Sequence, residues 1–208
     1  MTLVKDTVAR PLYDGHMTTH ADKAELRAFV RLTRAARSTE ELISASDDFE
    51  QFLVFLADQY GWRRIAAFIP TPTEPPIARG LNTLVLAGVS VIVPVAEADG
   101  QLDWMELGPD RIWSTTNDSM GMPIPSTGSN ASPTDLDAVL IPAAAVDRDG
   151  NRLGWGKGFY DRFLATVEGK PLLIAVVFDS DCVVDVPTDE HDAPVGAILT
   201  ETEISFTQ

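Results

Sequence analysis

Ala138-Val-Leu-Ile141, and after it Asp147-Arg-Asp-Gly-Asn-Arg-Leu-Gly-Trp-Gly-Lys-Gly-Phe-Tyr-Asp-Arg-Phe-Leu164, read as a buried strand, a glycine-rich turn and a helix. Consecutive apolar residues suit a strand covered on both faces, and the helix is expected over about 159–167. In open α/β sheets, ligands sit in the crevice beyond the carboxyl ends of such strands. Gly154, Gly156 and Gly158 alternate, which frees the backbone to approach a ligand and to take positive φ. Arg152 and Lys157 flank them with cationic donors, and arginine can fork onto two oxygens. Loop amides and the start of the helix suit phosphate oxygens. The spacing is not a Walker loop, because Asn151 stands at its first glycine position and Gly158 follows Lys157. Nor is it a dinucleotide fingerprint, whose last glycine is replaced by Phe159. Spacing alone leaves a phosphate loop of another kind or a flexible turn. Asp161 falls in the first helical turn, where a carboxylate either complements the helix dipole or meets Mg²⁺ bridging the same phosphates.

Outward from this stretch, helices and strands alternate. Over 22–37, Leu26, Phe29, Val30 and Thr33 form one helical face and Lys23, Arg27, Arg31 and Arg34 another, a basic stripe that solvent alone would explain. A second helix is expected after Ser46, carrying Phe49, Phe52, Leu53, Leu56 and Tyr60 and stopped by Gly61. Strands are expected at 65–69 and 89–95, with a helix over 77–87 between them and a hairpin strand at 102–107. Residues 114–135 are rich in Ser, Thr, Pro, Gly and Asn and read as a loop of the lid or binding type. Further strands are expected at 172–178, 183–186 and 197–200. This alternation predicts a three-layer α/β sandwich with a largely parallel central sheet. Residues 21–208 are expected to form one domain. Residues 1–20 are expected to be a flexible extension, with His16 and His20 mobile rather than metal-bound.

The 208 residues carry a formal net charge of −15 and are 45% hydrophobic, with a mean hydropathy of +0.02. Such charge repels nucleic acid and anionic membranes, so neither is an expected partner. An anionic nucleotide would need a locally basic pocket. The most apolar run, 84–96, is too short for a bilayer and is broken by Gly88 and Pro94. Residues 1–19 lack the apolar core of a signal peptide, and the single Cys182 suits a reducing compartment, so a cytoplasmic protein is expected. Oligomeric state is not fixed by the sequence, which is compatible with a monomer.

Arg152-Leu-Gly-Trp-Gly-Lys-Gly-Phe-Tyr-Asp161 resembles the signature of the 5-formyltetrahydrofolate cyclo-ligases, also called methenyltetrahydrofolate synthetases. Lys23-Ala-Glu-Leu-Arg27 resembles the family's amino-terminal element, which contacts ATP. Residues 65–74 resemble its first strand and folate-contacting loop, with Glu74 as the glutamate. Residues 140–147 resemble the strand that enters the nucleotide loop. Residues 187–192 and 197–201 resemble the closing segment, in which Asp192 helps hold magnesium. The resemblance implies the NagB/RpiA/CoA-transferase-like architecture. It also implies ATP- and Mg²⁺-dependent conversion of 5-formyltetrahydrofolate to 5,10-methenyltetrahydrofolate, with ADP and phosphate released. ATP and a reduced folate are then the partners. Lys23, Arg27, Arg152, Gly154, Gly156, Lys157 and Gly158 would bind ATP, with Arg152 and Lys157 catalytic. Glu74 would hydrogen-bond the pterin, Trp155 and Tyr160 would offer flat apolar surface to the folate or the adenine, and Asp161 and Asp192 would hold the Mg²⁺. The sequence departs from the family at three places. Lys157 stands where many members carry glycine, and Phe159 replaces the first tyrosine of a Tyr-Tyr-Asp run. Gly121-Met-Pro-Ile-Pro125 lacks the glutamate of Gly-Ile-x-Glu-Pro, so no site residue is taken from that loop. Two alternatives are a nucleotide- or folate-binding paralogue without turnover and a phosphosugar isomerase on a similar scaffold.

Overall fold

Residues 22–97, 101–108, 115–118, 121–126, 128–188 and 193–207 are described by the computed structural model of the chain. The expected extension at 1–20 and Asp192 lie outside them. α1 (Lys23–Ala35) starts at Asp22, whose carboxylate accepts from the Ala24 amide at 3.2 Å. α2 (Thr39–Tyr60) starts earlier than the apolar pattern predicts. The Ser38 hydroxyl accepts from the Glu41 amide while Glu41 accepts from the Ser38 amide, a reciprocal cap that sets the helix start well before Ser46. The helix ends at Gly61, whose φ of 63° is left-handed.

β1 (Arg64–Ala66), α3 (Ala78–Leu86), β2 (Ser90–Ala96) and β3 (Leu102–Glu106) follow close to expectation, with β3 antiparallel to β2. The segment expected to be an irregular loop instead contains β4 (Thr115–Asn117), β5 (Pro123–Pro125) and β6 (Ser129–Ala131). β4 and β5 form a hairpin, and β6 extends the main sheet beyond β3. Each is three residues long, too short for period-2 patterning to stand out from turn chemistry. β7 (Ala138–Pro142) leads into a small hairpin of β8 (Ala145–Val146) and β9 (Arg152–Leu153). α4 (Phe159–Leu164) is shorter than expected, and β10 (Leu172–Val176), β11 (Ala197–Leu199) and β12 (Ile204–Phe206) complete the order. No strand forms at 183–186; just before it, Cys182 makes an isolated bridge to Val146.

The eight-stranded sheet runs β12-β11-β10-β7-β1-β2-β3-β6. β11, β10, β7, β1 and β2 are parallel, and β12, β3 and β6 are antiparallel at the edges. One face packs Ile65, Val91, Leu140 and Ile174 against Phe49, Leu53 and Leu56 of α2 and Leu81 and Leu84 of α3. The other packs Ile92, Val139, Ile141 and Ala175 against Phe163 of α4 and Trp104. These are the three expected layers. From β1 the chain proceeds to its neighbour β2 on one side, and from β7 to its neighbour β10 on the other. β1 and β7 therefore flank the point where the winding reverses, the preferred ligand position in open sheets. No helix among the described residues is long and apolar enough to cross a membrane.

Gly80 marks the close approach of α2 and α3. A Cβ there would stand 2.8 Å from Leu53 Cδ1 and 3.1 Å from Glu50 Cα. Overpacking of this kind costs about 1–3 kcal/mol, more than the ~1 kcal/mol that alanine gains over glycine in a helix. Gly80→Ala is expected to lower the urea midpoint without changing the slope; a midpoint at or above wild type would contradict this packing.

Candidate active site

A cavity of about 590 Å³ opens beyond the carboxyl ends of β1 and β7. Its floor is Pro142 and the stretch from Arg152 to Asp161, and its walls come from α1, from the loop after β1 and from Met122 before β5. The route into this loop is held by Asp147. This buried carboxylate accepts from the amides of Asp149, Asn151 and Val186 and from Asn151 Nδ2, each at 3.0 Å. The turn between β8 and β9 is thereby tied to the segment that runs on toward 187–192.

Arg152 emerges from this turn with only 4% of its surface exposed. Its Nη2 donates to Asp161 Oδ1 at 2.6 Å, and its Nε is buried with no acceptor among the described residues. Asp161, on α4, keeps about a third of its side chain exposed. Gly156 and Gly158 have φ of 89° and 68°, where a side chain would be strained. Gly154 is different from expectation: its φ is not left-handed, and a Cβ there would meet nothing within 4 Å. Glycine at 154 thus leaves open cavity rather than relieving strain. Its carbonyl accepts from Arg27 Nε at 2.8 Å, which ties α1 to the loop. On the far side Arg162 Nη2 donates to the Lys157 carbonyl at 3.0 Å.

Lys23, Arg27 and Arg31, one turn apart on α1, all line the cavity, facing Arg152 and Lys157. These cations converge in a chain whose net charge is −15, and they form the basic pocket that an anionic ligand would need. Two carboxylates balance them. One is Asp161; the other is Glu74, buried in the loop after β1, whose Oε2 accepts from the Thr71 amide at 2.8 Å and hydroxyl at 2.9 Å. The Tyr160 hydroxyl and Trp155 Nε1 are buried without partners among the described residues. Burial first, then the Glu74 charge, pushes the Tyr160 phenol well above its ordinary pKa, with Arg152 opposing. The hydroxyl is therefore a neutral donor.

The structure brings together Lys23, Arg27, Glu74, Arg152, Gly154, Trp155, Gly156, Lys157, Gly158, Tyr160 and Asp161. Asp192 is outside the described residues. Arg31, Thr71 and Met122 also line the cavity, although the sequence reading assigned them no part. Arg31 continues the i, i+4 spacing of Lys23 and Arg27, the signal by which it was visible. Arg34 does not belong to a solvated stripe, because it is buried and paired with Asp181.

Tyr160 gives a prediction with opposite signs. A buried hydroxyl without a partner costs about 1–3 kcal/mol, so Tyr160→Phe is expected to raise the melting temperature of the free protein. Substrate affinity should fall in the same variant, measured as KM for each substrate. A variant that is less stable, or equally tight for both substrates, would contradict a hydroxyl reserved for a ligand.

The model of the 5-formyltetrahydrofolate cyclo-ligase family matches residues 19–201. The chain belongs to that family. The 5-formyltetrahydrofolate cyclo-ligase of Mycolicibacterium smegmatis is 34% identical over 143 residues, 66% of this chain and 73% of that protein. The cyclo-ligase of Mus musculus is 27% identical over 195 residues, 89% of this chain and 96% of its own. The solution structure of Aquifex aeolicus 5,10-methenyltetrahydrofolate synthetase superposes with a TM-score of 0.74 at 28% identity, covering 88% of this chain and 92% of that one. The Mycoplasma pneumoniae synthetase, at 22% identity and a TM-score of 0.69, shares the fold. The cyclo-ligase family match spans every element that builds the cavity.

Proposed function

We propose that the chain converts 5-formyltetrahydrofolate and ATP to 5,10-methenyltetrahydrofolate, ADP and phosphate, in the cytoplasm. The observation that carries this reading is the convergence of Lys23, Arg27, Arg31, Arg152 and Lys157 on one cavity at the reversal point of the sheet. The formyl oxygen of the substrate is a poor leaving group. It attacks the γ-phosphorus of ATP, the bond from phosphorus to the bridging oxygen breaks, and ADP departs. N10 then attacks the formyl carbon, the C–O bond breaks and phosphate leaves with its electron pair, and loss of the N10 proton gives the methenyl bridge.

Most of the protein's task is positioning and charge stabilisation. Lys23, Arg27 and Arg31 hold the phosphate chain from the side of α1, while Arg152 and Lys157 neutralise the group in transfer. The amides of 154–158 line the other side; α4 is only six residues long, so these amides and the cations matter more than its dipole. Glu74 accepts from the pterin, and the neutral Tyr160 hydroxyl and Trp155 Nε1 donate to whichever substrate covers them. Met122 adds an apolar contact.

Magnesium fits this donor set in one way. Among the described residues no group of three acidic, histidine or cysteine side chains is arranged to hold a metal, so a dedicated cage is absent from them. Mg²⁺ bound mainly by phosphate oxygens and water needs one or two carboxylates. Asp161, with one oxygen on Arg152 and the side chain partly exposed, supplies one, and Asp192 is the proposed second. When bound with the nucleotide, Mg²⁺ supplies charge neutralisation at the phosphates.

The reading is tested by measuring phosphate release from ATP. One phosphate per methenyl product is expected, with release strictly dependent on 5-formyltetrahydrofolate. Hydrolysis that ignores the folate would overturn it.

A further inference from the structure

α1 carries two parallel stripes. Lys23, Arg27 and Arg31 face the cavity. Beside them Leu26, Val30 and Arg34, also four residues apart, are buried at 5%, 1% and 3% exposure. Leu26 and Val30 pack on Ala144, Ala145 and Leu153 of the hairpin that precedes the loop. A third apolar residue would complete that stripe, yet position 34 holds an arginine. Its Nη2 donates to the Ala143 carbonyl at 2.7 Å, just beyond β7, and its Nε to Asp181 Oδ2 at 3.0 Å, in the turn after β10. The Phe178 amide donates to the same oxygen at 3.0 Å. The guanidinium lies 5.3 Å from the centre of the Trp155 ring, which also has the Arg31 guanidinium 5.2 Å away.

Stability does not account for this arrangement. Burying an ion pair costs about as much in desolvation as the attraction returns, and apolar replacements are often neutral or better. Geometry accounts for it: one planar group ties α1 to the ends of two adjacent strands, β7 and β10, beside the cavity, and touches the loop's own Trp155.

We propose that Arg34, through its pair with Asp181, is a positioning residue for the nucleotide. It fixes the pitch and depth of α1 so that Lys23, Arg27 and Arg31 stand at the right distance from the 154–158 loop. This inference rests on the reading of the cavity as the ATP site. Arg34 itself touches no substrate. Its loss acts on the affinity for ATP and leaves the folate pocket, built by Glu74 and the loop after β1, largely alone.

The test uses the full chain and calorimetric titration with MgATP, alongside melting curves and the KM for 5-formyltetrahydrofolate. In Arg34→Met/Asp181→Asn both charges are gone, while asparagine still accepts from the Phe178 amide. This variant is expected to melt within a few degrees of wild type and to bind MgATP roughly tenfold more weakly or worse, since displacements of about an ångström are costly in such sites. Its folate KM should change by less than about threefold, a small part of the cost of a misplaced binding group. Wild-type affinity for MgATP in a folded double variant overturns the proposal, as does equal weakening of both substrates. Should the double variant not fold, Arg34→Lys decides. It keeps a charge beside Asp181 but lacks the planar fork that reaches Ala143 as well; weaker MgATP binding supports the proposal and wild-type binding overturns it. Absence of MgATP binding by the wild type itself would remove the nucleotide reading, a separate and visible failure.

Discussion

Arg152→Lys is expected to lower kcat/KM by about 10²–10³-fold, the usual loss when one preorganised donor is removed from a phosphoryl- or acyl-transfer site, with little change in melting temperature. Arg152 is buried, one arm of its guanidinium is committed to Asp161 and its Nε has no acceptor among the described residues. Lysine preserves the charge that Asp161 needs, which protects the fold, but offers one point donor where arginine offers a fork. It can serve Asp161 or the phosphate of the proposed substrate, not both in the original geometry. The loss should appear in kcat more than in KM, because in the proposed reaction the charge that Arg152 would meet is greatest during transfer. Steady-state kinetics with both substrates varied would check it. A loss below tenfold would mean that Arg152 is held by Asp161 for structural reasons alone.

Asp147→Ala is expected to be the most destabilising single change near the site. The carboxylate accepts four hydrogen bonds, three of them from backbone amides, and is 3% exposed. Alanine leaves those amides without their acceptor, each at about 1–3 kcal/mol while it stays buried. Partial relaxation and water entry reduce the sum, so about 3 kcal/mol or more is expected, equivalent to roughly 10 °C in melting temperature for a chain of this size. The turn that Asp147 secures ends at Arg152, so activity at low temperature should fall as well. Asp147→Asn, which keeps the shape and part of the acceptor capacity, should fall between. A melting temperature within 2–3 °C of wild type for the alanine variant, about what 1 kcal/mol does, would contradict this account of the loop.

The layers of the fold could be read in the sequence because their signals are local. Val139, Leu140 and Ile141 form one uninterrupted apolar run, and Phe49, Leu53 and Leu56 recur at helical spacing. The glycine loop and its cations were also visible by residue type and spacing, although spacing alone left a phosphate loop and a flexible turn both open. What the sequence concealed depends on contacts between distant segments. Arg34 has the same chemistry as Arg27 and Arg31, and only Asp181, far along the chain, makes it a buried residue. Asp147 shows the Asp-x-x-Gly pattern of a turn, but nothing nearby announces that it also holds Val186. β4 to β6 lie in a stretch rich in Ser, Pro and Asn, where three-residue strands carry almost no periodicity; Asp118, bonded to the amides of Ala96 and Met122, fastens the β4–β5 hairpin to β2. The roles of Lys23, Glu74 and Asp192 rest on resemblance more than on anything their neighbours in sequence reveal.

The central claim is tested most directly by following absorbance in the near-ultraviolet band of methenyltetrahydrofolate, with protein, Mg²⁺, ATP and 5-formyltetrahydrofolate mixed and Asp161→Asn run in parallel. The account predicts a rise that requires ATP in the wild type and is largely abolished in the variant. If the wild type binds ATP and gives no rise with the folate, the chain is not a working cyclo-ligase, and the basic cavity is a nucleotide site serving another substrate.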